Sequence, residues 1–151
     1  MSHMSEQLYE ELTGHHFEDL EVGMSAAYAK TITEADIHAF AGVSGDTNPV
    51  HLAESYAEDT MFKGRIAHGL ISAGLLSAVF GTRLPGPGAV WVRQNLHFKA
   101  PVKPGDTVVA RVEITELRPE KNRAIFKTEC WNGDTLVIDG EAELMVPPRK
   151  G

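Results

Sequence analysis

The stretch Gly69-Leu70-Ile71-Ser72-Ala73-Gly74-Leu75-Leu76-Ser77-Ala78-Val79-Phe80 decides the fold. Leu70, Ile71, Leu75, Leu76, Val79 and Phe80 surround the helix that it predicts, with Ser72, Gly74 and Ser77 as the small members. A helix apolar on all sides is buried on all sides. Residues 69–80 fall short of the roughly 18 apolar residues of a membrane span, so protein must enclose them.

The second half of the chain predicts that enclosure. Val90, Val92, Leu96 and Phe98 alternate with Trp91, Arg93, Asn95, His97 and Lys99. Val108, Ala110, Val112 and Ile114 alternate with Val109, Arg111, Glu113 and Thr115; Leu136, Ile138, Ala142 and Leu144 alternate with Val137, Asp139, Glu141 and Glu143. A period of two with one apolar face predicts half-buried antiparallel strands. Pro119-Glu120-Lys121-Asn122 and Asn132-Gly133-Asp134 predict the hairpin turns between them. The expected fold is α+β: a central apolar helix wrapped by a curved antiparallel sheet.

Upstream, residues 5–24 read as polar and irregular, and residues 25–32 as a first strand. Thr33 is an N-cap with Asp36 in the position of a capping acid; Ile37, Phe40 and Ala41 follow at helical spacing, and Gly42 or Gly45 ends the helix. A short helix is expected over residues 53–62. Residues 1–4, Met1-Ser2-His3-Met4, read as a cloning remnant, leaving residues 5–151 as one domain.

The 151 residues are one domain's worth, and 42% hydrophobic with 23% charged side chains is ordinary globular composition. With 21 acidic against 14 basic side chains the net charge is -7, a field that repels nucleic acid and anionic membranes. Cys130 is the only cysteine, which excludes an internal disulfide and a Cys-rich zinc site. The expectation is a cytoplasmic protein with no nucleic-acid or membrane partner.

The chemistry concentrates in Ser44-Gly45-Asp46-Thr47-Asn48-Pro49-Val50-His51. Asp46 and His51, five apart, would point to different faces of a helix. Asn48-Pro49 argues against a helix here, because the residue before proline is pushed into extended conformations. A loop can bring both side chains to one point, where a carboxylate and an imidazole handle protons near neutral pH. Spacing alone leaves a second reading open: Asp46 closing an Asx-turn and His51 as a surface or satisfied core histidine. Ala67-His68-Gly69 opens the apolar helix. Its first N–H groups lack internal partners and can hold an oxyanion, with Gly69 allowing close approach. Equally, Gly69 can serve tight packing alone, and His68 can cap or fill space.

These two segments, with Ile66-Ala67-His68-Gly69-Leu70 as the second, resemble the signature of the MaoC-like (R)-specific enoyl-CoA hydratases. Phe98-Lys99-Ala100-Pro101-Val102-Lys103-Pro104-Gly105-Asp106 resembles a turn common in hot-dog folds. The resemblance spans about residues 16–146. It implies a single hot-dog domain that works as a homodimer on an acyl-CoA thioester. The implied reaction adds water to trans-2-enoyl-CoA to give (R)-3-hydroxyacyl-CoA, and reverses it. Asp46 and His51 match the catalytic pair and Gly69 the oxyanion-binding N–H. Asn48 matches a loop-holding asparagine and Ser77 a serine near the active site. No metal is implied and no cofactor, since coenzyme A belongs to the substrate.

Two relatives on the same fold compete with this reading. A MaoC-like 3-hydroxyacyl-carrier-protein dehydratase would share the motif. A hot-dog acyl-CoA thioesterase would place a carboxylate on the central helix, and residues 69–82 hold no Asp or Glu. A non-catalytic acyl-binding module would not need the Asp46–His51 pair.

Further features have plainer expectations. His15-His16 are read as solvated, His38 and His97 as exposed, residues 116–123 as a solvated hairpin end, and Cys130 as a packed hydrophobe. Lys63, Arg65, Arg83, Lys99 and Lys103 are candidates for coenzyme A phosphates. Leu76, Val79, Phe80 and Val137 are candidates for the acyl tunnel, with Gly86-Pro87-Gly88 as a loop at its rim.

Overall fold

The computed structural model describes residues 4–150. Residues 1–3 of the expected cloning remnant lie outside them. The element order is α1 (Glu6–Leu12), β1 (Ser25–Thr31), α2 (Glu34–Ser44), α3 (Pro49–Leu52), α4 (Glu54–Ala57), α5 (Gly69–Thr82), β2 (Val90–Gln94), β3 (His97–Phe98), β4 (Thr107–Arg118), β5 (Arg123–Asn132) and β6 (Thr135–Met145). Among the described residues these strands form one antiparallel sheet ordered β1-β4-β5-β6-β2, with β3 continuing the β2 side of β6.

The alternation read from the sequence places the inner face of the long strands. Ala110, Cys130 and Ile138 pair in one row across β4, β5 and β6, and Ile114, Phe126 and Ala142 in another; all six are buried. Each row combines small with large side chains, which leaves room for α5 to lie against the sheet. Leu76 and Val79 are completely buried, and Phe80 meets Phe126 edge-on at 5.0 Å between ring centroids. Burying one such side chain is worth about 1.5–3 kcal/mol. The helix and the curved sheet around it are the hot-dog arrangement. No helix of the described residues is long and apolar enough to cross a membrane.

Enclosure of α5 is less complete than its sequence predicts. Leu70, Gly74 and Ser77, at helical spacing, form an exposed stripe along the side away from the sheet. One sheet covers one side of a helix, and small residues make little apolar area there. Val90 and Val92 are also exposed, because β2 lies at a sheet edge.

Other expectations are corrected by local physics. Residues 5–24 are not irregular throughout: Ser5 caps α1, and a 3₁₀ turn spans Phe17–Asp19. Neither contains a buried residue, so hydrophobic periodicity gave no signal. The helix expected over residues 53–62 is only the single turn α4, and another single turn, α3, precedes that range. Proline does not forbid α3 but starts it, since the N–H it lacks would be unpaired at N1 anyway. Asn48 before it stays extended, as a residue preceding proline should. His15 and His16 are half-buried rather than solvated, engaging the Pro85 carbonyl and Glu10. The 86–88 loop is no rim of the acyl site: Gly86 packs against Gly14, and Gly14 N–H donates to Pro87.

The α2 start follows the expected pattern. Thr33 accepts from the Asp36 N–H, while Asp36 accepts from the Thr33 N–H and from Lys30. The Lys30 ammonium, the largest influence, and the Thr33 N–H hold the Asp36 carboxyl below its ordinary value. Gly45 ends the helix in the left-handed region at φ 78°, where glycine carries no steric penalty.

Candidate active site

That left-handed Gly45 turns the chain out of α2 and into the site. Asp46 follows, its N–H donating to Ser44 Oγ at 3.0 Å, and its Oδ1 accepting from Asn48 N–H at 3.3 Å. Asn48 Oδ1 then accepts from Val50 N–H at 3.0 Å and starts α3. Asp46 therefore closes an Asx-turn and still presents its other oxygen: Oδ2 stands 3.9 Å from His51 Nε2. The Asx-turn and the approach of the carboxylate to the imidazole thus coexist, on different oxygens of one side chain.

His51 is held from behind. Its Nδ1 lies 2.8 Å from the Ile66 carbonyl, which can only accept, so Nδ1 carries the proton and Nε2 offers a lone pair toward Asp46. Arg65 straps the same turn, donating from Nε to the His51 carbonyl at 2.7 Å and gripping both Glu34 oxygens at 2.8 Å. The Arg65 guanidinium lowers the Glu34 carboxyl from its ordinary value. Arg65 is thus committed to structure and is no free cation for a phosphate. Arg83 is likewise occupied, stacked over the Tyr28 ring.

These groups line a cleft of about 440 Å³ walled by Phe40, Phe62, Leu70, Phe98, Val102 and Val137, with Asp46, His51, His68, Gly69 and Lys99 as neighbours. Gly69 opens α5, and the side chain of the N-cap residue His68 makes no capping bond to the first N–H groups. A Cβ at Gly69 would stand 2.7 Å from the Phe98 ring, so glycine serves close packing here as well as access to the helix terminus.

The expected residues separate into two groups. Asp46, His51 and Gly69 converge on the cleft, and Asn48 caps α3, the turn that carries His51. Ser77 does not join them: it lies on the exposed stripe of α5, about 12 Å along the helix from Gly69 at 1.5 Å per residue, outside the cleft lining. Of the acyl-tunnel candidates, Val137 lines the cleft, whereas Leu76, Val79 and Phe80 belong to the core against the sheet. Val137, read as an outward residue, is buried, and its carbonyl accepts from the Lys99 N–H at 2.8 Å.

Sequence reasoning assigned little to His68, which is 2% exposed and stacks on His51 with ring centroids 3.9 Å apart. Its position directly before Gly69 was the available signal. Asp46, His51 and His68 each bring a ligand atom within 4.8 Å of the others. Stacked rings tilted by 30° send their in-plane lone pairs along near-parallel planes, a poor match to a tetrahedral centre.

A sequence model described as "MaoC like domain" matches residues 19–138. The chain belongs to the MaoC-like family. This MaoC-like chain is 58% identical over 140 residues to an (R)-specific enoyl-CoA hydratase of Rhodospirillum rubrum, covering 93% of itself and 97% of that protein. A 3-hydroxybutyryl-CoA dehydratase of Methylorubrum extorquens is 53% identical over 135 residues, covering 89% and 86%. The unliganded R-hydratase PhaJ1 of Pseudomonas aeruginosa superposes on the MaoC-like chain with a TM-score of 0.86 at 46% identity, covering 91% of this chain and 89% of that one.

Proposed function

We propose that this chain is a carbon–oxygen lyase that adds water to trans-2-enoyl-CoA to give (R)-3-hydroxyacyl-CoA, and catalyses the reverse dehydration. The observation that carries the reading is the Asp46–His51 pair, 3.9 Å apart at the wall of an apolar cleft that also reaches the N-terminus of α5. Two hydrogen bonds of about 2.8 Å from one water oxygen, meeting at about 90°, span that gap. The same chemistry is in the names of the two relatives above.

The electronics follow from the substrate. Conjugation with the thioester makes C3 electrophilic. As the water oxygen bonds to C3, one proton leaves it for the Asp46–His51 pair, and the π electrons move onto the thioester oxygen. The Gly69 N–H and the helix dipole stabilise that oxyanion. Collapse of the enolate then takes a proton from the pair at C2, so one water has been added. The thioester itself is the electron sink, so the reaction as drawn uses neither a metal nor a redox cofactor, and coenzyme A enters as part of the substrate. Lys99, at the cleft, is the cation best placed for its phosphates.

The reading includes a cytoplasmic homodimer. Val90, Trp91 and Val92 are 49%, 39% and 46% exposed on an edge strand, which a second copy would cover. The test is hydration of crotonyl-CoA, followed by loss of the conjugated thioester absorbance and chiral analysis of the product. Formation of the (R)-3-hydroxy product supports the reading, and no hydration or an (S) product overturns it. A carrier-protein thioester run in parallel identifies the dehydratase alternative if it is much the better substrate.

A further inference from the structure

We propose that His68 is a positioning residue that locks the Asp46–His51 pair to the oxyanion end of α5. The proposal rests on the hydratase reading and deepens it.

The argument begins with how the Asp46 loop is held. Among the described residues, every other hydrogen bond of residues 45–48 reaches no further than four residues along the chain. Such bonds shape the loop but move with it. The exception is His68, whose Nε2 lies 2.8 Å from the Asp46 carbonyl across 22 residues of sequence. A carbonyl accepts only, so His68 carries its proton on Nε2. The same ring lies face to face with His51 at 3.9 Å, with Phe40 at 4.8 Å on it as well. One side chain therefore touches both members of the pair: by a hydrogen bond to the main chain of Asp46 and by ring contact with His51.

His68 is also the residue immediately before Gly69, at the N-cap position of α5. The His51 side is also tied to this segment through Ile66, but for the Asp46 loop the spacing to the oxyanion donor runs through one buried imidazole. That spacing must match the C3-to-oxygen geometry of the enoyl thioester, and small misplacements of reacting groups cost orders of magnitude in rate. His68 Nδ1 is buried and unpartnered among the described residues. A ring kept only to fill space would be better apolar, since an unpaired buried acceptor is destabilising. Retention of imidazole here is accounted for by its Nε2–H.

Two variants separate the donor from the ring. His68→Phe keeps an aromatic face but no donor, and His68→Gln places an amide N–H near the position of Nε2–H. With crotonyl-CoA, His68→Phe is expected to lose about 10²-fold in kcat while KM stays within about threefold. His68→Gln should come within about tenfold of the wild-type kcat. Imidazole ¹⁵N spectra of the wild-type protein should show His68 as the Nε2–H tautomer, which needs no substrate and stands even if His68→Phe fails to fold. A His68→Phe variant with near-wild-type kcat, a His68→Gln variant no better than it, or an Nδ1–H tautomer overturns the role of His68 alone. A wild-type protein that hydrates no enoyl thioester overturns the hydratase reading, and the role with it.

Discussion

His51 Nδ1 lies 2.8 Å from the carbonyl of Ile66, and this single bond sets which nitrogen faces Asp46. A neutral imidazole has one donor and one acceptor, so binding the donor to the backbone turns the acceptor to the cleft. In the proposed reaction, the tautomer that can take a proton from water is thus set by the backbone rather than by the substrate.

The first prediction concerns that pair. Asp46→Asn and His51→Ala should each fold and each lose about 10²–10⁴-fold in hydration of crotonyl-CoA, the usual worth of acid–base help. Circular dichroism checks the fold and thioester absorbance the rate. Near-wild-type turnover in both would remove the dyad from the mechanism.

Gly69→Ala tests the helix terminus. Its Cβ would fall 2.7 Å from the Phe98 ring, but Phe98 is 55% exposed and can swing away. Stability should therefore change by less than about 1 kcal/mol while kcat falls at least about tenfold, because the displaced ring or the new methyl crowds the oxyanion donor. Gly69→Ala combined with Phe98→Leu should recover part of the loss, as measured by kcat on one substrate.

Gly140→Ala should behave in the opposite way, harming the fold first. Its Cβ would lie 2.1 Å from the Asn95 carbonyl oxygen, a backbone atom that cannot rotate aside. Asn95 lies between β2 and β3 and is held to β6 by its N–H, which donates to the Glu141 carbonyl. We expect a loss of about 3 kcal/mol in urea unfolding, at the high end for overpacking.

Stability should depend on Asp36 in a defined pH window. Its carboxyl is held below the ordinary 3.8 in the folded protein, first by Lys30 and then by the Thr33 N–H. A depressed carboxylate stabilises above its unfolded pKa, and the stabilisation fades as pH falls through the folded value. Asp36→Asn should therefore cost about 1 kcal/mol at neutral pH. The gap to wild type should close as the pH drops below the ordinary carboxylate value, read by urea unfolding across that range.

The edge strand supplies the last prediction. Val92→Lys puts a charge on the exposed β2 edge, a device by which sheets block edge pairing. Wild type should sediment as a dimer and the variant as a monomer. A monomeric wild type would remove the homodimer from the reading.

What was legible in the sequence was legible because it is local or periodic. Alternation along β4, and along β6 from Ile138 onward, placed their buried faces, a four-residue capping box placed the start of α2, and an unbroken apolar run placed α5. The motif around Asp46 and His51 named the candidate reactive side chains through a resemblance, although spacing left their geometry open. Pro49 misled, because the same residue forbids a helix interior and favours a first turn, and only the fold says which applies.

By itself, then, the sequence determined the helix that must be covered, the strands that cover it, and the residues able to move a proton. The tertiary structure alone decided that Asp46 Oδ2 and His51 Nε2 stand 3.9 Å apart, that His68 ties them to α5, and that Ser77 lies outside the lining of their cleft. Burial preference is a property each side chain carries along the chain. A distance between side chains on different elements exists only once the backbone between them has been folded, and here that backbone is a left-handed glycine, a capped turn and a carbonyl from 15 residues away.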